Sequence, residues 1–180
     1  MLLASARPTT ISGVVLNDIG PVIDTRGLMR IKSYIGKLPQ PTSFPDGAEI
    51  LRRLFGAQFP KLTADDWLDF ARRTFTERNG RLVADYDPQL ALTLASLAPE
   101  RPLPPLWKEF DALARVPVMV IRGANSDILS AATVADMCAL RGDIVAVEVP
   151  DQGHAPLLAD DHIIGRIGAF VGGCESAVPH

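Results

Sequence analysis

The chain has 180 residues, enough for one compact core and too few for two comfortable domains. With 47% hydrophobic and 22% charged residues it falls in the globular class, and disorder is excluded as a default. The net charge is −3 and the basic residues are scattered in pairs such as Arg52-Arg53 and Arg72-Arg73, so nucleic acid is not an expected partner.

Met1 to Ala6 is an apolar run ending in small residues, but it lacks a basic flank and is far shorter than the about 7–15 residues of a leader's apolar region. No export leader is expected. No stretch approaches the ~20 apolar residues of a membrane span either, so no membrane is expected as a partner. Gly13-Val14-Val15-Leu16-Asn17 then reads as a strand closed by turn chemistry in Asp18-Ile19-Gly20-Pro21.

From Thr25 to about Arg115 the texture changes. Glu49 to Phe55 is a candidate helix with Ile50, Leu51, Leu54 and Phe55 apolar. A second helix begins at Thr63-Ala64-Asp65-Asp66, where Trp67, Phe70, Ala71 and Thr74 recur at helical spacing. Asp87-Pro88 supplies a cap and a first-turn proline for a third. The prolines between Pro99 and Pro105 end this region, which reads as an all-helical insertion over residues 25–105. Trp67, Trp107, Phe55 and Phe59 are available to line a pocket there, although aromatics at helical spacing more commonly form core.

Two further strands follow, Val116-Pro117-Val118-Met119-Val120-Ile121 and Ile144-Val145-Ala146-Val147-Glu148-Val149. Between them a helix over roughly Ala131 to Leu140 is opened by Ser130 as N-cap. Strand, helix and strand in that order make a βαβ unit with parallel strands. Val118 and Val120 on one face, with Met119 and Ile121 on the other, require a sheet covered by helices on both sides. Cys138 reads as a small buried hydrophobe, and with Cys174 it gives neither zinc-ligand spacing nor a disulfide framework, which fits a reducing cytoplasm.

Each late strand is followed by a loop with chemistry in it. Arg122-Gly123-Ala124-Asn125-Ser126-Asp127 supplies an acid and Gln152-Gly153-His154-Ala155-Pro156 a histidine. A catalytic imidazole takes a hydroxyl proton on one nitrogen while a carboxylate fixes the other. Asp127 and His154 are the expected pair, since parallel neighbouring strands bring their loops to one sheet edge. Asp18, behind the first strand, is the competing acid and equally reads as a turn residue. Ser126 and Ser130 read as turn and cap residues, and His162 as a surface histidine.

The runs Val14 to Pro21, Tyr86-Asp87-Pro88, Leu106-Trp107, Arg122-Gly123 through Ser126-Asp127 and Gly153-His154-Ala155-Pro156 together resemble the α/β-hydrolase fold family, close to small-molecule esterases and enol-lactone hydrolases. The resemblance implies an α/β architecture that is the C-terminal part of this fold. It would comprise three parallel strands with flanking helices over residues 1–24 and 106–180, and a helical cap inserted over residues 25–105. Met1 to Arg7 would be the tail of the helix that follows the nucleophile. It implies a small ester or lactone as substrate, no cofactor, and Asp127 and His154 as acid and base. The family's nucleophile elbow, Gly-x-Ser-x-Gly, occurs nowhere in the 180 residues. The expectation is therefore a chain with little activity alone, whose first strand presents an unpaired edge and promotes self-association. A non-catalytic binding or interaction protein on the same scaffold is the alternative.

Overall fold

A computed structural model of the protein describes residues 1–100 and 102–176. In chain order the elements are α1 (Leu2–Ala6), a 3₁₀ turn (Pro8–Thr10), β1 (Val14–Asn17), α2 (Thr25–Tyr34), α3 (Phe44–Phe55) and α4 (Ala64–Thr74). There follow β2 (Phe75–Arg78), β3 (Arg81–Ala84), α5 (Leu90–Thr93), α6 (Trp107–Asp111), β4 (Val118–Gly123), α7 (Ala131–Leu140), β5 (Val145–Val149) and α8 (Asp161–Ser176). The chain divides into two compact units, one of Met1–Thr25 with the described residues from Pro102 on, the other running from Arg26 to residue 100.

The first unit is built on a parallel sheet of order β1-β4-β5. Val14 stands beside Val118 and Asn17 beside Ile121 across the first pair, and Met119 beside Val145 and Gly123 beside Val149 across the second. The central strand is apolar on both faces for the reason its sequence suggested. Val118 and Val120 enter a cluster with Leu16, Phe110, Leu113, Leu129 and Met137. Met119 and Ile121 enter another with Val147, Val149 and Ile163. All four of these β4 side chains are buried, each contributing roughly 1.5–3 kcal/mol by leaving water. At the edge, β5 is buried only at Val147 and Val149, so it alternates as a one-faced strand does. Ser130 caps α7 by accepting from Thr133 N–H at 3.0 Å, as its sequence position suggested. Cys138 is half-buried on α7; the buried thiol is Cys174.

In the second unit α3 is longer than the apolar run that revealed it. Ser43 caps it by accepting from Asp46 N–H, and Pro45 stands in its first turn. Helix α4 opens on a full capping box between Thr63 and Asp66. Trp67, Phe55 and Phe59 are core. Phe70 stacks on Trp67 at 5.9 Å and on Phe55 at 6.0 Å, and Phe59 meets Trp67 edge-on at 6.4 Å. Helix α5 is a short turn starting at Leu90; Asp87 accepts from Gln89 N–H ahead of it.

One expectation for this unit fails: it is not all helical. β2 and β3 form an antiparallel hairpin around Asn79-Gly80, both with positive φ, of 53° and 71°. Asn-Gly is the dipeptide that such a two-residue turn favours, because both central residues must enter the left-handed region. Phe75 and Leu82 turn inward from the hairpin and are buried. Helical periodicity in the preceding residues masked this period-two signal.

Candidate active site

The carboxyl ends of β1, β4 and β5 face one way, and the loops leaving them converge. Asp18 is the first residue after β1. Its backbone N–H still extends the ladder, donating to Ile121 O at 2.7 Å, while its φ of 55° turns the chain sharply away. Aspartate tolerates this left-handed conformation better than most residues, because its short polar side chain can bond locally. The turn carries the carboxylate across to the end of β4, where it is fully buried.

There Asp18 is surrounded by donors. Gly123 N–H donates to Oδ1 at 2.8 Å and the Ser126 hydroxyl donates to Oδ2 at 2.5 Å. His154 Nδ1 lies 2.8 Å from the same Oδ2. The imidazole is 22% exposed, against 0% for the aspartate side chain. A buried carboxylate is tolerable only when it is hydrogen-bonded, and these contacts engage both of its oxygens. The arrangement holds the imidazole by Nδ1 against the buried carboxylate.

His154 is placed by a loop that β4 helps to hold. Ala124 N–H donates to Val149 O and Asn125 N–H to Gln152 O, each at 2.9 Å. Leu157 N–H donates to Gln152 Oε1 at 2.8 Å, and Asn17 Nδ2 reaches Pro156 O at 3.4 Å. Gly123 is needed where these segments meet, because a Cβ there would strike the carbonyl oxygens of Gln152 and Gly153. Arg122 pins the loop that follows, donating through Nε to Leu129 O at 2.9 Å and pairing with Glu148.

Of the two acids weighed from sequence, the one brought to His154 is Asp18. Asp127 was expected in that place; it lies half-buried beyond the turn that Ser126 N–H closes on Gly123 O. The reason is register. With Asn17 beside Ile121, the residue after β1 falls beside the last residues of β4, whereas Asp127 follows Gly123 only after a complete turn. Ser126, read as a turn residue, does hold the turn, accepting from Ile128 N–H and Leu129 N–H, and it also donates to Asp18. The signal for this was the placing of Asp18 and Ser126 behind adjacent parallel strands. His162 is exposed on α8, as expected. Among the described residues no group of three or more His, Cys, Asp or Glu could hold a metal ion, and no helix is long and apolar enough to cross a membrane.

The parallel sheet and its flanking helices define the architecture: the chain has the α/β-hydrolase fold, and its three strands are consistent with a C-terminal part of that fold. It is 37% identical to an α/β hydrolase from Novosphingobium aromaticivorans, superposing with a TM-score of 0.85 over 95% of this chain and 60% of that one. It is 34% identical over 167 residues to the 3-hydroxybutyrate-oligomer hydrolase of Cupriavidus necator, an alignment covering 89% of this chain and 56% of that protein. The chain thus spans a little over half the length of the curated relative it matches. E-2-(acetamidomethylene)succinate hydrolase, at 23% identity and a TM-score of 0.69, shares the fold. No family model matches the chain.

Proposed function

We propose that Asp18 and His154 are the acid and base of a serine-hydrolase triad and that the substrate is a small ester or lactone. The observation that carries this reading is the 2.8 Å contact of His154 Nδ1 with the buried Asp18 carboxylate, at the carboxyl edge of a parallel sheet. Asp18 orients the ring and remains a carboxylate throughout. Nε2 takes the proton of a nucleophilic hydroxyl as that oxygen attacks the ester carbon, then returns it to the departing alkoxide. A water repeats the exchange to release the acid.

The 180 residues contain no Gly-x-Ser-x-Gly, so in this reading the nucleophile and oxyanion donors come from other polypeptide, and the chain alone has little or no esterase activity. Ser126 does not substitute, since its proton goes to Asp18. β1 pairs only with β4 among the described residues, and its free edge favours self-association of the isolated chain. The name of the Cupriavidus relative makes linear hydroxy-acid esters the first substrates to try.

The test joins this chain behind the part of the Novosphingobium hydrolase that it does not cover. The chimaera is expected to hydrolyse p-nitrophenyl butyrate or a 3-hydroxybutyrate dimer, and His154→Ala to abolish this. A folded chimaera that cleaves none of these esters overturns the proposal.

A further inference from the structure

We propose that Ser126 is a positioning residue that fixes the tautomer of His154 through Asp18; this rests on the acid and base roles proposed above. Its oxygen accepts from Ile128 N–H and Leu129 N–H, both at 3.1 Å, so both lone pairs are engaged. The single hydroxyl proton is left for Asp18 Oδ2, 2.5 Å away. Ser126 is therefore an obligate donor, and its direction is set by two backbone groups it cannot release without leaving them unpaired.

The consequence reaches the imidazole. Gly123 N–H occupies Oδ1 and Ser126 one lone pair of Oδ2, which leaves the other lone pair facing His154 Nδ1 at 2.8 Å. An imidazole protonated on Nδ1 completes this set. One protonated on Nε2 would place two acceptors face to face around a carboxylate that is 0% exposed, unless Asp18 itself carried a proton on an oxygen already taking one from Ser126. By supplying its proton, Ser126 favours Nδ1–H and so keeps Nε2 an acceptor for the nucleophile's proton. Without Ser126, the Nδ1 proton is free to pass to Oδ2 as Nε2 takes one from solvent, and the hydrogen bond then runs the wrong way, from carboxyl to Nδ1.

Long-range ¹H–¹⁵N NMR of the imidazoles in the whole chain reads this directly, with His154 assigned by its loss in His154→Gln. The wild-type ring is expected as the Nδ1–H tautomer. Ser126→Ala is expected to shift it toward Nε2–H, and Ser126→Thr, which keeps the hydroxyl, to restore the wild-type pattern. In the chimaera Ser126→Ala should lower kcat about tenfold or more with KM unchanged, again rescued by threonine. If Ser126→Ala does not fold, Ser126→Cys takes its place, the thiol being a weak donor of similar size, with the same expected shifts. A folded Ala or Cys variant with the wild-type imidazole spectrum and kcat overturns the inference and leaves Ser126 a turn residue. A chimaera inactive whatever stands at 126 counts against the hydrolase reading, and the tautomer spectrum then decides this one alone.

Discussion

In the second unit Glu49 holds Arg52 and Arg53, Asp69 holds Arg72 and Thr63 holds Asp66, all within four residues of one another. In the first unit Asp18 draws its partners from 105, 108 and 136 residues away. The aromatic helices satisfy polar groups locally, on exposed surface, where each pair is worth little. The sheet gathers them from three chain-distant loops around a carboxylate that is fully buried. Local pairs can be lost singly. A buried, non-local set fails as a whole, because each missing member leaves another unpaired.

The sharpest way to break the comparison is at the non-local set. In the chimaera, His154→Ala and Asp18→Asn are expected to reduce kcat by ~10³-fold or more, the first by removing the base and the second because an amide NH2 facing Nδ1 donates to it and leaves the wrong tautomer. Asp127→Asn should stay within about threefold of wild type, because the carboxylate that meets His154 Nδ1 is that of Asp18. Steady-state hydrolysis of p-nitrophenyl butyrate measures all three. An Asp127→Asn loss as large as that of Asp18→Asn would reverse the assignment of the acid.

This contrast also explains what the sequence could show. The capping box at Thr63 and Asp66, the Ser130 cap and the two-faced apolar pattern of Val118 to Ile121 are legible because each depends on neighbours in the chain. His154 is legible as a candidate from its strand-end loop. The choice between Asp18 and Asp127 is not, because it turns on the register of β1 against β4 and on one left-handed residue. Ser126 carried its turn role in the open and its bond to Asp18 hidden, for the same reason. The hairpin at Asn79-Gly80 had a clear local signal and lost only to the helical pattern before it.

Core substitutions weigh the two units on one scale. Leu51 on α3 is fully buried, and Leu51→Ala should cost about 2–5 kcal/mol by urea denaturation, from lost transfer energy and the cavity left behind. Gly123→Ala adds a single methyl against the Gln152 and Gly153 carbonyls and should cost roughly 1–3 kcal/mol. The smaller change is expected to do more to the chemistry. It displaces the loop carrying His154, so the tautomer spectrum should change for Gly123→Ala. A Gly123→Ala chain with wild-type stability and His154 spectrum would show that the loops are not in contact as described.

The smallest effect belongs to the local caps, and pH gives it a sign. The Thr63 hydroxyl, then the Thr63 backbone N–H, donate to Asp66 and hold its carboxyl below the ordinary value of 3.8. Arg52, then Arg53, hold Glu49 down to about 2. A carboxyl lowered by folding adds stability that is complete above its unfolded value and lost as pH falls through the folded one. Thr63→Ala should therefore cost about 1 kcal/mol near neutrality, read as a lower melting temperature. The gap to wild type should narrow as pH falls below 3.8, because protonated Asp66 no longer gains from those donors. A gap that stays constant through that range would mean that Thr63 acts through its acceptance from Asp66 N–H, and that its donation to the carboxylate brings no net gain.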